Sequence, residues 1–232
     1  MRGILGFLDN DSIFGRICTV IGTIIVVNLL FIVTLLPIIT AGAGFTAMYY
    51  AMLKLARYKE INPFLEFWEG FKSNFKRATL AELIIIALFV FLIVDYRICS
   101  QMTGVLSFCI LAVYVAMIAL TIITMYLFPV MASFYGNIRE QIKYSVFFAG
   151  SNMLGTICIA ALNIIPLLLT YSNPQMLPLA AFLWCIGGFA FIALCNSMIM
   201  LRRFNRYLDP IERDEEQADM KKILEDMRRL EG

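Results

Sequence analysis

Charge is absent from three long stretches of the chain, residues 17–53, 98–138 and 144–201. A helix needs about 20 mainly apolar residues to cross a hydrocarbon core of about 30 Å. Each stretch is long enough for one or two crossings. None alternates polar and apolar residues with the period of two that a membrane barrel requires, so helices are the remaining way to pair the backbone in lipid. Residues that punctuate helices divide the runs. Pro37 with Gly42 and Gly44 breaks the first, and Tyr171-Ser172-Asn173-Pro174 breaks the last. Spans are expected near 17–36, 41–57, 79–96, 104–128, 146–169 and 178–201. The second is short, and as an interfacial or re-entrant helix it would leave five.

Between the spans a different pattern appears. In 61–77, Phe64, Phe67, Trp68, Phe71 and Phe75 recur at helical spacing, opposed by Glu66, Glu69, Ser73, Lys76 and Arg77. Asn62 can cap this helix and Pro63 suits its first position. The pattern predicts an amphipathic elbow at the membrane surface, its aromatics at headgroup level and its bases toward anionic lipid. Sixty-seven residues on, Asn137-Ile138-Arg139-Glu140-Gln141-Ile142-Lys143 aligns with Gly70-Phe71-Lys72-Ser73-Asn74-Phe75-Lys76, and Phe134-Tyr135 with Phe67-Trp68. Residues 1–208 thus resemble two parallel copies of span, elbow and span, flanked by a further span at each end. Trp68, Phe71, Lys72, Lys76, Arg139 and Lys143 are the candidate contacts to lipid or a partner.

Composition sharpens the class. Hydrophobic residues make up 61% and charged residues 16% of the 232, against about 45–50% and 25% in soluble domains. The fold class is all-α, a polytopic helical membrane bundle with two cytoplasmic elbows. Residues 1–208 carry fourteen bases and eight acids. With six spans and the N-terminus inside, thirteen of those bases are cytoplasmic and only Arg97 lies outside. Five spans with the N-terminus outside would put Arg2 and Arg16 out as well. Both termini are therefore expected in the cytoplasm. Residues 209–232 hold nine acids and five bases, a net of −4. Met220, Ile223, Leu224, Met227 and Leu230 form an apolar stripe there, so the tail reads as a soluble helix, packed on its own protein or docking a partner. Its charge argues against nucleic acid.

The chemistry for catalysis is sparse. The chain has no histidine, which removes His-based triads and His-ligated zinc. Cys18, Cys99, Cys109, Cys158, Cys185 and Cys195 include no CxxC pair and read as small buried apolar residues. No cofactor, metal or catalytic group is expected, and the chain does not read as an enzyme. Glu82 is an acid inside the third expected span. It is a functional candidate by default, or a structural group near the cytoplasmic end of its helix. Asn28, Asn163 and Asn196 are intramembrane amides, serving either interhelical hydrogen bonds or a polar path. Asn163 stands where it could satisfy a carbonyl freed by Pro166. Ala43, Ala47 and Ala51, then Ser151 and Gly155, form small faces for close helix packing, and Gly42-x-Gly44 lacks the context of a phosphate loop.

Several blocks resemble one family. These are Gly15-Arg16, Asn28-Leu29-Leu30, Leu36-Pro37-Ile38-Ile39-Thr40-Ala41-Gly42-Ala43, Thr46-Ala47-Met48-Tyr49-Tyr50, Leu53-Lys54 and Phe71-Lys72-Ser73-Asn74-Phe75-Lys76-Arg77-Ala78-Thr79, with Phe128-Pro129-Val130-Met131-Ala132 more weakly. Together they are similar to the YesL-like family of uncharacterised bacterial membrane proteins. The acidic-glycine turn usual before the elbow is replaced by Tyr58-Lys59-Glu60-Ile61. The resemblance implies a multi-pass protein of the bacterial cell membrane. It also implies genes near sugar-uptake transporters, hence an accessory of an ABC-type sugar permease. It supplies no catalytic residues. The competing expectation is a transporter of a small polar, sugar-like solute.

Overall fold

A computed structural model describes residues 13–101, 108–172, 175 and 177–207. The tail expected as a helix over 209–232 lies outside them, as does the start of the fourth expected span.

Among the described residues the chain is helical, with no strand. Helix α1 spans Ile13–Leu35, and a 3₁₀ turn at Ile38–Thr40 leads into α2, Ala41–Tyr58. Then come α3 (Pro63–Cys99), α4 (Cys109–Ser133), α5 (Ile138–Ser151) and α6 (Met153–Ser172). The last element bends twice in character: α7 (Leu177–Leu183), a π-turn at Trp184–Gly188, and α8 (Phe189–Tyr207). Among the described residues six segments are long and apolar enough to cross a membrane: Gly15–Leu35, Ile38–Tyr58, Pro63–Cys99, Cys109–Ser133, Met153–Ser172 and Leu177–Tyr207.

The second segment is the least apolar of the six and the most buried. It is the hub of the bundle, with Ala43, Ala47, Ala51 and Met52 wholly buried and with α1, α3, α4 and α8 around it. The small face expected at Ala43, Ala47 and Ala51 is what lets those helices approach. Gly70 of α3 shows the tolerance: a Cβ there would stand 2.8 Å from Cβ of Tyr50.

Elbow one and span three are a single helix of 37 residues, about 55 Å at 1.5 Å per residue and well beyond one bilayer core. Asn62 caps it as expected, its Oδ1 accepting from the Leu65 N–H at 3.2 Å, with Pro63 in the first turn. α2 runs antiparallel along its first half. Lys54 meets Glu66 at 2.7 Å, and the Gly42 N–H meets Glu82 at 2.7 Å. Residues 83–99 continue past the start of α2 beside α4, where Tyr96 and Tyr114 meet edge to face at 5.7 Å.

The second elbow is built differently. α4 ends at Ser133, and α5 starts with a capping box in which the Asn137 N–H donates to Glu140 Oε2 at 3.0 Å. A one-residue break at Asn152 separates α5 from α6. The fifth span therefore begins at Met153, not at 146, and Ser151 and Gly155 lie on either side of the break rather than on one helix face. At the 67-residue offset, Phe67 and Trp68 fall inside a helix while Phe134 and Tyr135 fall in a turn.

Candidate functional site

Three polar side chains of the apolar interior, those of Asn28, Glu82 and Asn196, join helices. Asn28, wholly buried on α1, donates through Nδ2 to the carbonyls of Trp184 (3.0 Å) and Cys185 (2.8 Å) and accepts from the Ala190 N–H at 3.1 Å. One amide thus serves three backbone groups of the π-turn and the start of α8. π-Turns are rare and strain the regular i→i+4 ladder, and a side chain with both a donor and an acceptor is suited to bridge one. Gly187 and Gly188 lie in this turn, and a Cβ on Gly187 would come 3.3 Å from Ile24 of α1.

Glu82 is buried and its Oε2 accepts from the Gly42 N–H, in the first turn of α2. The first N–H groups of a helix have no partner inside it and carry the positive end of the helix dipole. A carboxylate supplied from the neighbouring helix answers both needs; Glu82 does this from the middle of α3 and not from near an end of its helix, as the sequence had suggested. Gly42 is required for the approach: a Cβ would sit 2.8 Å from the Ala78 carbonyl oxygen and from Cβ of Glu82. Beside it, Thr34 donates to Phe31 O at 2.8 Å and Thr40 to Thr34 O at 2.7 Å, fixing the α1–α2 corner.

Asn196 of α8 is wholly buried and donates to Tyr49 Oη at 3.1 Å, joining α8 to the hub. Asn163 does not serve the carbonyl that Pro166 frees. Pro166 lacks the N–H that would reach Leu162 O, whereas Asn163 Nδ2 donates to Ile159 O at 2.7 Å, four residues back on its own helix. The three amides and Glu82 therefore do not converge on one site. A cavity between Tyr126, Phe148, Asn152, Ile159 and Arg203 measures about 10 Å³, room for about one water.

At the elbows, the aromatic face divides. Phe67 is wholly buried with Gly70 and Asn74 against the bundle, while Phe64 and Trp68 stay largely exposed. Trp68 and Phe71 stack at 5.4 Å with planes 9° apart, Phe75 follows at 5.3 Å from Phe71, and Lys72 Nζ lies 5.5 Å from the Trp68 ring. Lys72, Lys76, Arg139 and Lys143 are all exposed. Glu66, expected on the solvated face, instead pairs with Lys54 of α2. The residue that connects the elbows was not singled out in the sequence. Arg77 donates to Gly136 O and to Asn74 Oδ1, both at 3.1 Å, and lies over the Tyr135 ring. Only its position at the end of the first elbow hinted at this.

The six cysteines are free. Cys18, Cys109, Cys158 and Cys185 are exposed on the helix surfaces, which corrects the expectation that all six are buried. Among the described residues no group of His, Cys, Asp and Glu could hold a metal ion.

Residues 24–96 match a family model described as a protein of unknown function, DUF624. The matched stretch contains Asn28, the α1–α2 corner, the whole of α2, the Gly42–Glu82 contact and the first elbow. No curated protein and no solved structure matches the chain. The chain is thus an integral-membrane type of helical bundle, similar over those residues to a family without an assigned activity.

Proposed function

We propose that this protein is a non-enzymatic accessory or regulatory subunit of a membrane transport system in the bacterial cell membrane, with both termini in the cytoplasm. The observation that carries this reading is how its polar groups are spent. Asn28, Glu82 and Asn196 bond backbone or side chains of neighbouring helices. Trp68, Phe75 and the four bases of the elbows remain at the surface, while Phe71 between the two rings is half-buried. A solute path needs polar groups facing a passage, whereas Asn28, Glu82 and Asn196 each face a neighbouring helix. An accessory needs a surface, and exposed aromatic side chains are what interfaces favour. The identity of the partner, an ABC-type sugar permease, follows from the family resemblance alone.

Two experiments test this. Native pull-down from membranes should recover a permease with the wild-type protein, and less with Lys72 and Lys76 changed to Gln. Remaining binding should be less sensitive to salt. Sugar uptake by the purified protein in liposomes would instead support a transporter and overturn the accessory reading.

A further inference from the structure

α5 carries a stripe without a partner among the described residues. Arg139, Ile142, Lys143, Val146 and Gly150 follow at steps of three or four residues, so they share one side of the helix. All five are exposed, Val146 at 49%. Phe147, adjoining the stripe, is also 49% exposed and packs edge to face on Tyr207 at 5.4 Å. Tyr207 also meets Phe148 at 5.6 Å. The end of α8 is thereby fixed against α5, and Tyr207, the last described residue, packs beside the stripe.

That following segment has the complementary chemistry. Residues 209–219 hold Asp209, Glu212, Asp214, Glu215, Glu216 and Asp219 against the one base Arg213. Residues 220–230 then carry the apolar stripe Met220, Ile223, Leu224, Met227 and Leu230. The acids match the charge of Arg139 and Lys143, and the apolar stripe matches Ile142 and Val146. Anionic lipid would suit the bases of α5 but would repel the acidic segment tethered next to it. We infer that residues 209–232 dock in cis on the exposed basic and apolar stripe of α5, and so withhold that face from lipid or from another protein. The effective concentration of a segment tethered by its own chain is in the millimolar range, which lets a modest contact persist.

Spin labels at Gly150→Cys and Arg228→Cys, in a full chain lacking its native cysteines, test this by pulsed dipolar distance measurement. Gly150 has open space around it and accepts the label. In neutral detergent the docked tail gives one narrow distance, whereas a free tail of this length gives a broad distribution. Arg139→Glu with Lys143→Glu should abolish the narrow peak. Adding Asp214→Lys, Glu215→Lys and Glu216→Lys should restore it. Raising salt from 0.05 to 0.5 M should cut the narrow fraction of the unreversed protein at least twofold, a check that needs no charge variant to fold. A broad distribution in the unreversed protein, a narrow peak indifferent to both reversal and salt, or a peak seen only in anionic-lipid nanodiscs would each overturn the inference.

Discussion

Replacing Asn28 by alanine removes three hydrogen bonds at once, to Trp184 O, Cys185 O and the Ala190 N–H, all between 2.8 and 3.1 Å. Side-chain hydrogen bonds between membrane helices average about 0.6 kcal/mol and reach about 1.7 kcal/mol. Three of them place the loss at roughly 2–5 kcal/mol. The value should fall in the upper half, because Asn28 is wholly buried and no water can take over its partners. Equilibrium unfolding in mixed micelles, with α-helix content as the signal, measures it. Asn28→Leu separates bonding from packing: it fills the space and makes none of the bonds. The leucine variant should lose nearly as much as the alanine variant. Asn28→Asp keeps the acceptor for Ala190 but loses both donors and buries a charge, so it should be no better. A loss below about 0.5 kcal/mol in the alanine variant, or recovery by leucine, would refute the view that the amide staples the π-turn to α1.

Further outcomes follow from the same geometry. Glu82→Gln should cost only about 1 kcal/mol in the same assay, since an amide oxygen can still accept from the Gly42 N–H, and it should leave cellular function intact. Loss of function at unchanged stability would make Glu82 functional instead. Gly42→Ala should be worse than Glu82→Gln, about 1–3 kcal/mol, because its Cβ meets backbone at 2.8 Å. Phe67→Ala should cost about 3–5 kcal/mol, whereas Trp68→Ala, at a ring 43% exposed, should cost clearly less and show instead as weaker partner recovery. A single cysteine at position 2 should resist membrane-impermeant reagents in intact cells and react after permeabilisation. Labelling in intact cells would reverse the assigned orientation.

The sequence by itself determined that this is a bundle of membrane-crossing helices, and nearly where they lie. Uncharged runs of such length have no other stable solution in lipid, where each backbone group must find its partner within its own helix. It also placed the Asn62 cap and the small face of Ala43, Ala47 and Ala51, because caps and close packing depend on local residue type and spacing. What it could not determine is which helix each polar group serves. Glu82 and Gly42 are forty residues apart, and Asn28 and Ala190 are 162 apart. Only the antiparallel pairing of α2 with the first half of α3, and the crossing of α1 over the π-turn, bring them within bonding distance. The division of the elbow's aromatics has the same origin. Helical spacing put Phe67 and Trp68 on one apolar face, and the position of α2 beside that helix decided that Phe67 is buried while Trp68 meets the surface.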